Sequence, residues 1–239
     1  MRAAAMDACR FAVTKIQPPR LRASRVDRPG SDAALAAALF DHRVVLLQAP
    51  AGFGKTTALA AQLAGLAPDT ALAWVSLDED DDRQRLFACL ATALEPFDLP
   101  WRTAPEALVA LLGQDDPAAP RRATTELLNA LAAADTPRGL IVLDDLHRVV
   151  STQVHALLET LIERLPAQWT LVLASRTVPP LPLARWRAAG ELAEFTQEEL
   201  RFTSAEAAAL LAADGAAPER AAELIERTQG WPAEIGRAS

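Results

Sequence analysis

The chain has 239 residues, 51% of them hydrophobic with alanine supplying much of that share, and a formal net charge of -7 at pH 7. It is too apolar for a disordered chain, it lacks the run of about 18 apolar residues that a spanning helix needs, and Asp7 and Arg10 interrupt any signal-peptide core near the N-terminus. Two cysteines, Cys9 and Cys89, make no disulfide framework, and scattered arginines in an acidic chain make no basic stripe for a nucleic-acid backbone. The expectation is a soluble, cytoplasmic protein that by itself binds neither DNA nor membrane.

In chain order, residues 1–30 read as an irregular approach segment, because Pro18-Pro19 and Pro29-Gly30 oppose helix. Ser31 or Asp32 is placed to cap a helix running through Leu35 to Phe40. Val44–Leu47 is a continuous run of the kind found in strands buried on both faces. Similar runs are Leu72–Leu77, Leu140–Leu143 and Thr170–Ala174, with a weaker fifth at Glu191–Phe195. Helical patterns occupy Thr57–Leu66, Arg83–Leu94, Ala123–Ala134 and Ser151–Leu165. Strands alternating with helices imply βαβ units and a parallel sheet. Beyond Phe195 only helices are expected. Thr203 and Glu206 have capping-box spacing before Ala205–Ala213, and Pro218 precedes a helix reaching about Gln229. The expected division is an α/β domain over 31–197 and a helical appendage over 198–239.

The strongest chemical signal is Ala49-Pro50-Ala51-Gly52-Phe53-Gly54-Lys55-Thr56-Thr57, between a buried strand and a helix. That is the setting of a Walker A loop, whose glycines let backbone N–H groups gather around phosphate oxygens at the positive end of a helix. Lys55 is one of only two lysines, the other being Lys15. It brings a point charge to the terminal phosphates, and Thr56 offers a hydroxyl to Mg2+. Ala49 stands where the motif usually has its first glycine.

Leu140-Ile141-Val142-Leu143 ends in Asp144-Asp145, the pattern of a Walker B strand. Asp144 is the candidate metal ligand and Asp145 the residue that orients the attacking water. Arg176 follows the run ending at Ala174-Ser175, where it could reach a γ-phosphate or be an ordinary surface arginine.

In combination, LLQAPAGFGKTT, the stretch Trp74 to Arg83, LIVLDDLH, TLVLASR and TQGWP resemble the STAND class of P-loop NTPases. More closely, they resemble the N-terminal ATPase module of MalT-like, LuxR-type transcriptional regulators. The resemblance runs from about Lys15 to Ile235. It implies an α/β P-loop fold with a five-stranded parallel sheet in the AAA+-like order 5-1-4-3-2, followed by a small helical domain. It also implies a sensor role for Arg176 and a Gly230-Trp231-Pro232 motif whose Pro232 lies near adenine. The segment Pro29-Gly30-Ser31-Asp32 departs from the family's more regular basic, leucine-rich helix start. The family continues into sensing and DNA-binding domains past the position of Ser239, so the chain is expected to act as a module whose partners are another copy or those domains.

Other signals receive plainer readings. Asp78-Glu79-Asp80-Asp81-Asp82 is expected to be a solvated helix entry rather than a metal site, since it lacks the glycine of a calcium loop. His147 is expected to be satisfied within its own turn, and Cys89 to be core. The five tryptophans lie on separate elements and make no stacking stripe. The function expected is an ATP/ADP-binding, slowly hydrolysing signalling switch. A P-loop kinase, with Arg185 and Arg187 in a lid over 177–190, and a nucleotide-stabilised interaction module without significant turnover are the alternatives.

Overall fold

The computed structural model of the protein describes residues 11–21, 26–114, 116–213 and 220–233. The expectations attached to Cys9 and to Pro218 lie outside these residues. The five apolar runs become strands: β1 (Val44–Gln48), β2 (Thr70–Ser76), β3 (Arg138–Asp144), β4 (Trp169–Ser175) and β5 (Leu192–Phe195). They form one sheet in the order β2-β3-β4-β1-β5. Every pairing is parallel, so the expected order 5-1-4-3-2 is the observed one.

Helices cover both faces, which is why the strands carry apolar residues without alternation. One face bears α1 (Pro29–Asp41) and α2 (Lys55–Ala64). It collects Val45, Leu47, Val142 and Val172 with Leu35, Leu39, Leu59 and Leu63. The other bears α3 (Arg83–Leu94), α4 (Pro105–Leu112), α5 (Ala119–Ala132), α6 (Thr152–Arg164) and α7 (Leu183–Ala188). It collects Val44, Leu46, Ile141, Leu143, Leu171 and Leu173. At about 1.5–3 kcal/mol for each buried Val or Leu, this two-sided core is the main favourable term. After β5 come α8 (Gln197–Leu200), α9 (Ser204–Ala213) and α10 (Ala221–Thr228). Ala207, Leu211, Ala221 and Leu224 of α9 and α10 form a small core of their own.

Two local expectations are corrected. The first helix starts at Pro29 rather than after Ser31 or Asp32, with Arg28 as its N-cap. Proline at a first helical position has no N–H for the helix to miss, and its fixed φ suits the first turn. Asp32 still acts on this helix start, accepting the Arg28 N–H at 3.3 Å from inside the first turn. The approach segment also contains a 3-10 turn at Val13–Ile16. The expected capping box is present: the Thr203 N–H donates to Glu206 at 2.8 Å, and the Glu206 N–H donates to the Thr203 hydroxyl at 3.3 Å.

The acid run is a helix entry that is solvated only in part, with Glu79, Asp80 and Asp82 exposed. Asp81 is buried, and the Lys15 ammonium donates to Asp78 and Asp81 at 2.7 Å each. Arg85 lies 3.5 Å from both. Asp82 caps α3, accepting the Arg85 N–H at 2.8 Å. The 3-10 turn of the approach segment delivers Lys15 to Asp78 and Asp81, so the entry carries a long-range ion-pair cluster that was not expected of it. Among the described residues no helix is long and apolar enough to cross a membrane.

Candidate functional site

Parallel strands place their carboxyl ends along one edge of the sheet, and β1, β4 and β3 are neighbours there. Gln48 pairs with Ser175, and Leu143 with Leu173. The loop leaving β1, the acids ending β3 and the arginine after β4 therefore meet at one edge, where open α/β sheets bind ligands.

The loop turns on two glycines with positive φ, Gly52 (81°) and Gly54 (77°). Ala49 is buried and is not among the positive-φ residues. Its position makes no demand for glycine, which accounts for the departure from the motif. Gly54 is the N-cap of α2 and supplies no side-chain cap. The first N–H groups of α2, from Lys55, Thr56 and Thr57, are thus left for an external acceptor at the positive end of the helix dipole. The Lys55 ammonium is buried, and it donates to the carbonyls of Ala49 at 2.6 Å and Pro50 at 3.0 Å. Burial lowers its pKa, the charge of Arg176 adds to that, and Asp144 and Asp145 oppose it.

The Thr56 hydroxyl donates to Asp144 Oδ2 at 2.9 Å, joining α2 to the end of β3. Asp144 is buried, and its Oδ1 accepts the Asp145 N–H at 2.9 Å. Burial raises its pKa and the charge of Asp145 adds to this, against the Thr56 hydrogen bond and the Lys55 charge. Asp145 sits in the left-handed region at φ 58°. The 3-10 turn Leu146–Arg148 then brings His147 Nδ1 to 3.8 Å from Asp145 Oδ1. That nitrogen is buried without a hydrogen-bond partner among the described residues, so the expected local satisfaction of His147 is not found. Burial lowers the His147 pKa, and Arg176, Lys55 and Arg148 lower it further against Asp145. Arg176 itself is exposed, and its charge is felt at both Lys55 and His147.

The structure thus gathers Lys55, Thr56, Asp144, Asp145 and Arg176. A carboxylate and a hydroxyl at 2.9 Å suit a hard cation that keeps most of its waters. Among the described residues no group of three or more His, Cys, Asp or Glu side chains is arranged for a metal, so a cation here would rest on Asp144 and Thr56 with waters.

One neighbour of the loop escaped the sequence reading. The Trp231 indole N–H donates to the Ala51 carbonyl at 2.9 Å, and the Ala233 N–H donates to the Gly52 carbonyl at 3.2 Å. Trp231 is stacked on Phe53 at 6.3 Å between centroids and 15° between planes. Pro232 lies between these two residues in sequence and is half-buried. The GWP tripeptide was the available signal, but nothing local tells that its tryptophan reaches a loop 180 residues away.

Comparison with known proteins is consistent with this arrangement. No protein-family model matches the chain. It is 34% identical over 201 residues to the serine/threonine-protein kinase PknK of Mycobacterium tuberculosis, covering 82% of this chain and 18% of that protein. It is 30% identical over 195 residues to the HTH-type transcriptional regulator MalT of Serratia proteamaculans, covering 80% and 21%. To MalT of Klebsiella pneumoniae it is 33% identical over 174 residues, covering 70% and 18%. The chain therefore spans about a fifth of the length of these relatives. Among solved structures, the Walker-type ATPase of Pyrococcus abyssi superposes with a TM-score of 0.55 over 92% of this chain and 68% of that one, at 15% identity. That likeness concerns the fold.

Proposed function

We propose that this chain, a P-loop NTPase domain of the MalT-like kind, binds an adenine nucleotide with Mg2+, hydrolyses it slowly and acts as a signalling switch of the STAND type. The observation that carries the reading is the Thr56–Asp144 hydrogen bond at 2.9 Å beside the uncapped start of α2. It sets a metal-type oxygen pair next to an anion-type helix end.

In this reading the N–H groups of residues 51–57 cradle the phosphates, since Pro50 has no N–H and that of Ala49 is bonded to the Ser175 carbonyl. Lys55 exchanges two neutral carbonyl acceptors for phosphate oxygens, a stronger charge-assisted bond. Thr56 and Asp144 hold Mg2+, which when bound offsets the negative charge of the phosphate oxygens. Asp145 orients the attacking water, and Arg176 registers the γ-phosphate. Pro232 lies on the adenine side. Residues 198–239 form the helical domain whose seating differs between ATP and ADP, so the two nucleotides shift a population by their differential contacts. Its partners are a second copy or other domains of a regulator.

The kinase alternative is less well supported. Arg185 is paired with Glu163, and Arg187 donates to Glu194 at 2.7 and 2.9 Å, so both are engaged in surface ion pairs within their own region. The similarity to PknK does not favour it either. A match over 82% of the chain must include the loop at 49–57, and protein kinases cover their phosphates with a GxGxxG loop instead.

The test is a titration of the protein with ATP and ADP in Mg2+, followed by thermal unfolding and by phosphate release. Stabilisation by both nucleotides with slow turnover is expected. No stabilisation by either would overturn the reading.

A further inference from the structure

Four successive carbonyls of the phosphate loop are each occupied by a donor from within the chain. Lys55 takes those of Ala49 and Pro50, as described, and the segment after α10 takes those of Ala51 and Gly52. Among the described residues all peptide bonds are trans, and in a trans peptide the carbonyl and the N–H of the same unit point in opposite directions. Fixing the Ala51 and Gly52 carbonyls toward Trp231 and Ala233 therefore turns the N–H groups of Gly52 and Phe53 to the other side of the loop. Convergent N–H groups of this kind are what an anion nest is made of.

The contact is close and specifically built. A Cβ placed on Gly52 would lie 2.6 Å from both Trp231 Nε1 and Ala233 Cβ. Phe53 holds the indole flat by stacking. Behind the indole, Gly230 has φ 75°, and a Cβ there would lie 2.8 Å from the Phe202 carbonyl oxygen. The Gly230 carbonyl accepts the Phe202 N–H at 2.8 Å. Arg28, the N-cap of α1, lies over the Phe202 ring at 4.9 Å and donates to the Arg201 carbonyl at 2.7 Å. It also pairs with Glu206 at 3.3 Å. An unbroken path of contacts thus runs from the start of α1 to the phosphate loop.

We propose that Trp231 is a positioning residue for phosphate binding. Its indole N–H on the Ala51 carbonyl, with the Ala233 N–H on the Gly52 carbonyl, orients the Gly52 and Phe53 N–H groups for the nucleotide. This rests on the nucleotide-binding reading and adds a requirement to it: the loop is preorganised only while the segment after α10 is seated. Seating and nucleotide binding must then strengthen each other by the same factor.

The experiment compares the wild type with Trp231→Phe, which keeps an aromatic ring on Phe53 and deletes the N–H. MgADP and MgATP affinities are measured by calorimetry, and turnover at saturating ATP is followed alongside. The variant is expected to bind both nucleotides about tenfold more weakly, or about 1.4 kcal/mol, with turnover at saturation within about twofold of the wild type, the mark of a uniform binding effect. Equal affinity in the two proteins overturns the inference. Tighter binding by the variant also overturns it, since the indole would then compete with nucleotide. Failure of the wild type to bind any adenine nucleotide is a different result, which removes the functional reading and this one together. Hydrogen exchange of the wild type provides the second measurement should the variant not fold. Added MgADP must slow exchange at the Ala233 amide, and faster exchange there overturns the inference.

Discussion

Two acid clusters stand at the carboxyl ends of adjacent strands, and they are chemically opposite. Ser76 at the end of β2 pairs in register with Asp144 at the end of β3, so the run Asp78–Asp82 and the pair Asp144–Asp145 emerge side by side. The first has counter-charges from its own chain, Lys15 and Arg85. Although burial pushes upward, the Lys15 hydrogen bond and charge hold the Asp78 pKa below its ordinary value of 3.8. The second cluster has Lys55 nearby, but that ammonium is bonded to loop carbonyls. Burial raises the Asp144 pKa, and nothing in the chain fully reverses it. Acids whose charge is met within the fold hold the fold together. Acids left costly by burial suit an external cation. Counting carboxylates does not tell the two clusters apart, whereas asking where their countercharge comes from does.

Lysine replacements test this contrast most severely. Lys55→Ala is expected to weaken nucleotide binding by about a hundredfold or more, in line with the 2–5 kcal/mol lost when one member of a buried charge pair is truncated. Calorimetry with MgATP checks it, and unaltered affinity would refute the assignment of the loop. Lys15→Ala should do the reverse. Leaving Asp81 buried without its ammonium costs about 3 kcal/mol of folding stability, while nucleotide affinity stays within about threefold, because the Lys15 ammonium bonds Asp78 and Asp81 and not the phosphate-loop side chains. Urea unfolding of this variant separates the two effects, and a large loss of affinity at unchanged stability would contradict the division.

Within the second cluster, Asp145→Ala is expected to keep ATP affinity within about tenfold and to slow hydrolysis by more, because water placement counts mainly in the transition state. Asp144→Asn is expected to weaken Mg2+-dependent binding while leaving the nucleotide-free protein as stable or slightly more so, since it removes a charge that burial disfavours. Equal loss of binding in the two variants would merge roles kept separate here.

The smallest expected effect is on pH dependence. Because the folded pKa of Asp78 lies below the unfolded value, its contribution is complete above pH 3.8 and is lost as the pH falls through the folded pKa. Asp78→Asn should therefore reduce the difference in stability between pH 5 and pH 2.5, measured by chemical unfolding. An undiminished difference would show that the ion pair contributes no linkage.

Much of this architecture could be read from the sequence because it is written locally. Strands buried on both faces announce themselves as runs such as Leu140–Leu143, and Arg83–Leu94 has the bounds expected of it. The strand order came with the family resemblance, since no run of residues encodes which strand it will pair with. Short helices such as Pro105–Leu112 and Leu183–Ala188 escaped because they begin at or after proline and hold too few residues to show a period. The burial of Asp81 and the reach of Trp231 to Ala51 escaped for another reason. Their partners are 66 and 180 residues away, and only the folded chain brings them together.

The chain's two lysines are both buried, at 8% exposure for Lys15 and 7% for Lys55. The described surface therefore offers acylating reagents no freely exposed side-chain amine. Lys15 is buried and doubly ion-paired, to Asp78 and Asp81. Lys55, with its pKa lowered, holds more of the neutral, nucleophilic form but is shielded by its loop. Its modification by an amine-directed reagent then proceeds only as fast as the loop opens, and a nucleotide's grip on the loop becomes readable as the silence of a single site in a peptide map.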